Sequence, residues 1–127
     1  EHLSKSNKEI KDKWDTLKNR ISELIDVDIV SKNNYINWVY SSKNLCYFIF
    51  RKNSISLELV RGTISPDGTK SRNFFNIDDP KGISKESSWE WKSGSKGNIY
   101  RIPINKETDI DYIMFLIKQK YNNLQGN

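Results

Sequence analysis

The nearest approach to a catalytic string in this sequence is Asp78-Asp-Pro-Lys81 followed by Glu90-Trp-Lys92. A carboxylate, a spacer and then Glu-x-Lys is how many metal-dependent nucleases hold Mg²⁺ and polarise a water. For Asp79, Glu90 and Lys92 to share a cation, the two acids must lie at adjacent strand ends, inside a core of α/β order. Asp-Pro-Lys-Gly reads more simply as a turn in which Asp79 accepts local backbone donors. Scarcity closes other routes, because the only histidine is His2 and the only cysteine is Cys46. No His triad, Cys–His pair or zinc site of the usual ligand spacing can be assembled within one chain. A lone cysteine also forbids an internal disulfide and agrees with a reducing compartment. The expectation is a non-catalytic chain with no catalytic residues, no metal ligands and no cofactor.

Binding chemistry is better represented. Trp89, Trp91, Tyr100 and Arg101 stand close to Lys85, Lys92 and Lys96, a mixture of rings for stacking on bases and cations for phosphates. Residues 89 and 91 share a face if that stretch is a strand. The alternative is that the indoles cap the core and the lysines are merely solvated. Gly94, Gly97 and Asn98 make no phosphate cradle, because no Gly-rich turn leads there from a strand into a helix. The charge pattern points the same way as the rings. The net charge is +5, and residues 43–104 hold eleven basic against six acidic side chains while both flanks are near neutral. A local basic excess attracts polyanions, nucleic acid first among them. A lysine-rich solubility surface would produce the same count.

These residues need a scaffold, and 127 residues suffice for one domain, 1–127, with a core of its own. Ile10, Trp14, Leu17, Ile21, Leu24 and Ile25 form the stripe of an amphipathic helix over about 7–25, opened by Ser6 and Glu9 as a capping box. The period then changes to two. Tyr35–Tyr40 and Leu45–Phe50 predict a hairpin, Ser56–Val60 a third strand, Arg72–Ile77 a fourth and Gly97–Ile104 a fifth. Gly62 to Asn73 reads as a loop around the Pro66-Asp-Gly68 turn. Thr108 is expected to cap a last helix whose stripe is Ile110, Ile113, Met114, Ile117 and Tyr121, with Lys118 and Lys120 suited to its C-terminal turn. The predicted class is α+β: an antiparallel sheet of about five strands, flanked by an N-terminal and a C-terminal helix packed on one face. No apolar run is long enough to span a bilayer and no signal-peptide core is present. No membrane partner and a cytoplasmic setting are therefore expected. A first residue of Glu suggests a domain cut from a longer protein.

Asn76-Ile-Asp-Asp-Pro-Lys-Gly-Ile83, Gly97-Asn-Ile-Tyr-Arg-Ile102 and Asp109-Ile-Asp-Tyr-Ile-Met-Phe-Leu-Ile-Lys-Gln-Lys-Tyr121 together resemble an uncharacterised bacterial and archaeal family. This is the domain of unknown function 5655, sometimes labelled a predicted transport protein. Leu3-Ser-Lys-Ser and the helix reading Trp14-Asp-Thr-Leu-Lys-Asn-Arg-Ile-Ser-Glu-Leu24 are similar to its start. The chain departs from that family at Ser88-Trp-Glu-Trp-Lys-Ser93, where members usually show a Gly-His-Trp-Gly-like string, and in its longer 62–73 segment. The resemblance implies an accessory or recognition domain attached to nuclease or restriction-type modules in phage defence. DNA or RNA and a nuclease module are then the expected partners, with Lys81, Lys85, Trp89, Trp91, Lys92, Lys96 and Arg101 as the contact residues. The alternatives are a protein–protein interaction or dimerisation module, and the metal-dependent nuclease.

Overall fold

The computed structural model describes residues 8–24, 28–31, 35–40, 43–72 and 74–125. Helix α1 spans Lys8–Leu24 and buries Ile10, Trp14, Leu17 and Ile21 of the stripe read from the sequence, whereas Leu24, expected on that stripe, is 43% exposed at the end of the helix. Ser6 of the capping box and Ile25 lie outside the described residues. Strands β1 (Asp28–Ser31), β2 (Ile36–Tyr40), β3 (Lys43–Phe50), β4 (Ile55–Ile64), β5 (Lys85–Glu90) and β6 (Lys96–Ile104) lead to helix α2 (Ile110–Gln125). Every pairing is antiparallel, and the sheet order is β1-β2-β3-β4-β6-β5. The α+β class stands, with a different roster of strands. The strand expected over Arg72–Ile77 does not form in its described residues: Arg72 lies in a turn and Phe74–Ile77 belongs to no strand, although Phe75 N–H donates to the Arg61 carbonyl. The sheet instead gains two edge strands, β1 and β5. Lys-Glu-Ser-Ser-Trp-Glu carries a single apolar residue, so β5 has no alternation to detect.

Register sorts the side chains onto two faces. Phe48 pairs with Leu57 and Leu57 with Ile102, while Phe50, Ile55 and Ile104 form the next row. All six are buried on the face that carries the helices. Trp14 of α1 sets its ring edge-on to Trp38, Phe48 and Phe50 at 5.0 to 5.6 Å. Leu45 is the extra residue of a β-bulge opposite Trp38 and Val39, which lets the consecutive Leu45 and Cys46 both be buried. Helix α2 is capped one residue later than expected. The Asp109 carboxylate accepts from Asp111 N–H at 3.0 Å, while Thr108 Oγ1 accepts from Asn105 N–H. The two helices are tied together by an Arg20–Asp111 ion pair and by Lys13 Nζ, which donates to the Thr108 carbonyl at 2.6 Å. Lys43 Nζ donates to the Leu124 carbonyl in the last turn of α2.

A second bulge, between Val60 and Gly62, organises the far end of the sheet. Gly62 takes a φ of 146°, and a Cβ there would lie 2.5 Å from Ser71 Oγ and 2.9 Å from the Phe74 ring. Only glycine permits that conformation together with so close a return of the 71–74 segment. Arg61 is the extra residue. Its guanidinium lies between the rings of Phe74 and Tyr100 at 4.7 and 4.6 Å, and donates to the Phe75 carbonyl, Asn98, Asn76 and Glu86. The carbonyl of Val60, freed from the regular ladder, accepts from Lys120 Nζ at 2.7 Å. Lys120, read from the sequence as suited to the last turn of the helix, is instead buried beside the Phe75 ring.

Burial pushes the Lys120 ammonium down to about 8 from its ordinary 10.5. Between those two values the unfolded chain binds more protons than the folded one, so this group makes stability climb as pH rises through that window. In urea unfolding, the stability of the wild type relative to Lys120→Met is expected to increase from about pH 8 to about pH 10.5. Equal pH slopes for the two proteins would show that the amine is not buried as described.

Candidate nucleic-acid interface

The sheet face turned away from the helices carries a shallow hollow of about 450 Å³. Val60 and Ile99 form its floor, Trp89 and Trp91 one wall, and Glu58, Arg101 and Tyr47 the polar side. The tryptophans owe their position to β5. Trp89 lies opposite Gly97 in the ladder, and its ring rests on the glycine so closely that a Cβ at 97 would stand 2.2 Å from it. Trp91 follows one pleat later, where the chain turns: its N–H donates to the Ser95 carbonyl and its carbonyl accepts from Gly94 N–H. The two indoles meet edge to face at 5.6 Å and 84°, and remain 43% and 44% exposed. The Pro66 ring of the 62–73 segment supports this turn by packing on Gly94.

Glu58 and Arg101 are cross-strand partners on β4 and β6, and Arg101 Nε donates to Glu58 Oε2 at 2.9 Å. The Glu58 side chain is 12% exposed and that of Arg101 52%, so the acid sits low and the guanidinium reaches outward. Tyr47 is the neighbour of Glu58 across β3. Burial, the nearby Tyr35 and Glu58 together raise its pKa and keep its hydroxyl protonated. Lys85 is the register partner of Arg101 on the outer strand and projects from the same face.

Of the residues expected to contact nucleic acid, Lys85, Trp89, Trp91 and Arg101 come together here. Lys92 lies in the turn just beyond Trp91, at the rim. Lys96 pairs with Glu90 and Ile64, one pleat out of phase with Trp89, so it leaves the strand toward the helix side. Lys81 belongs elsewhere. Its ammonium lies over the Tyr112 ring at 4.6 Å and 3.9 Å from Asp109, and its N–H donates to the Tyr112 hydroxyl. Tyr100 is likewise inward, buried in the core with its hydroxyl accepting from Ile77 N–H. The basic excess is thus partly taken up by contacts within the chain: Lys43 and Arg61 donate to the Leu124 and Phe75 carbonyls, and Lys81 and Arg101 pair with Asp109 and Glu58 near the surface.

The catalytic string is not assembled. Asp79 accepts from the Tyr112 hydroxyl and from the N–H and hydroxyl of Ser84. Partial burial would raise its pKa, but these hydrogen bonds prevail and hold the carboxyl below its usual range. Glu90 closes the opposite end of β5. Among the described residues no three His, Cys, Asp or Glu side chains are grouped to hold a metal, and no helix is long and apolar enough to cross a membrane. The sequence reading missed Glu58 and Tyr47. Strict alternation in Ser56-Leu-Glu-Leu-Val60 put Glu58 on the outer face, but only the sheet order brings it beside Arg101 and the indoles. Compared with protein-family models, curated proteins and solved structures, the chain matches none.

Gly97→Ala is expected to lift the Trp89 ring from β6 at a cost of about 1–3 kcal/mol from overpacking. The exciton signal of the indole pair in circular dichroism should fall with it. An unchanged signal would show that Trp89 does not rest on residue 97.

Proposed function

We propose that this chain is a non-catalytic nucleic-acid-binding domain that takes single strands on the helix-free face of its sheet. The observation that carries the proposal is the half-exposed Trp89/Trp91 pair with Arg101 and Lys85 in register beside it. Stacking a base on an aromatic side chain contributes about 1–3 kcal/mol and is open only to bases outside a duplex. A duplex would call for an element that enters a groove. Here both helices are on the far side, and the hollow is shallow and flat-floored. Arg101 lines the hollow, Lys85 is its register partner on the outer strand, and Lys92 follows Trp91, so cations for a phosphate backbone lie near the rings. The likeness to the domain of unknown function 5655 supplies the setting, an accessory module of a cytoplasmic restriction- or defence-type protein. A second reading, docking of a protein chain or of another copy, is favoured by the exposed edge of β5. A solution mass twice that of the monomer would support it.

Tryptophan-fluorescence titration with single- and double-stranded oligonucleotides across a salt series tests the proposal. Single strands should bind more tightly, with log affinity falling against log salt at a slope of about −0.7 per phosphate neutralised. Trp89→Ala or Trp91→Ala should weaken binding roughly 5- to 150-fold, the range set by the loss of one stack. Lys85→Ala should lower the salt slope by about one phosphate. Absence of binding at low salt, or binding indifferent to salt and to both tryptophans, overturns the reading.

A further inference from the structure

The hollow holds a hydrogen-bonding edge as well as a stacking surface, and the order of its charges selects among the bases. Glu58 Oε2 is occupied by Arg101 Nε. Its other oxygen accepts from no described residue, and the Glu58 side chain as a whole is 12% exposed. A carboxylate so placed, with one partner and little water, is stabilised by further donors. On the same side, Arg101 keeps its terminal amino groups for an acceptor. A base lying on the indoles over Val60 and Ile99 therefore meets an acceptor and a donor side by side.

The four bases answer that edge differently. Guanine offers two adjacent donors, N1–H and the N2 amino group, next to the acceptor O6. The donors suit the carboxylate and the acceptor suits the guanidinium, all in one plane. Adenine and cytosine each present one amino donor. Uracil and thymine present one imide N–H between two carbonyls, and either placement sets a carbonyl dipole against the acid. We infer that this hollow is a guanine pocket: Glu58 reads the N1–H and N2 amino donors, Arg101 the O6 acceptor, and Lys85 the phosphate of the same nucleotide. The inference rests on the reading of this face as a single-strand platform, and it adds a base identity to it. Direct readout of this kind separates bases roughly 5- to 150-fold for each well-formed pair of hydrogen bonds.

Oligothymidylates carrying one central guanine, adenine, cytosine or hypoxanthine provide the test, with affinity measured at fixed salt by tryptophan fluorescence. The guanine strand should bind the wild type about ten-fold more tightly than the adenine, cytosine and all-thymine strands, within the range set by a bidentate contact. Hypoxanthine lacks the N2 amino group and should forfeit most of that advantage, a comparison that needs no variant protein. In Glu58→Gln the ratio of guanine to adenine affinity, taken within the variant, should collapse toward one. Equal affinity for all the strands, with their salt dependence intact, overturns the guanine pocket while leaving the single-strand reading in place. A guanine preference that survives in Glu58→Gln or with hypoxanthine also overturns it. Failure of every strand to bind removes both.

Discussion

Two helices cannot roof a six-stranded sheet. Strands spaced about 4.8 Å apart make a sheet roughly 24–29 Å wide, whereas two packed helices cover roughly 20 Å. One end of the inner face must be closed by something else, and among the described residues no second layer lies on the outer face. Much of the structure answers this shortfall. The 71–77 segment is drawn over the uncovered end by the Arg61 side chain, placing Phe75 against Tyr100. The bulge at Val60 and Gly62 makes room for that segment to approach. Lys120 then ties the end of the helical layer to the carbonyl that the bulge has released. The outer face, left bare, is where the half-exposed tryptophans collect.

How much of this could be read from the residues depended on whether a local period carried the signal. Both helices and strands β2, β3, β4 and β6 bury one side of a regular repeat, so composition and spacing announce them. β5 sits at an edge with nearly every side chain in water, so nothing in Lys-Glu-Ser-Ser-Trp-Glu marks it. Arg72–Ile77 failed in the opposite sense. Phe74 and Phe75 look like strand residues because both pack, but one contacts the Arg61 guanidinium and the other fills the core. Lys120 in a final helical turn is ordinarily solvated. Only a bulge sixty residues earlier in the chain gives it a buried acceptor.

The candidate site shows the same division. Trp89 and Trp91 are conspicuous in any reading of the sequence, and alternation predicts that they share a side. Their partners are not local. Glu58 comes from β4; the chain leaves β4 for the edge strand β5, and the β5–β6 hairpin returns β6 beside β4, which places Arg101 opposite Glu58. Net charge was a coarser guide. Of the cations in the basic middle segment, Arg101 lines the hollow and Lys85 pairs with it across the strands, while Arg61 and Lys81 hold other parts of the molecule together.

Among the described residues, Lys13 anchors on the Thr108 carbonyl, Lys43 on that of Leu124, Arg61 on that of Phe75 and Lys120 on that of Val60. A full charge against a nearby dipole is a short-range contact, and dissolved ions screen it far less than they screen two opposed charges at the surface. Tertiary cohesion and attraction for polyanions are thereby placed on different electrostatic footings. Brine strong enough to strip an anionic guest from the outer sheet leaves these four fastenings closed.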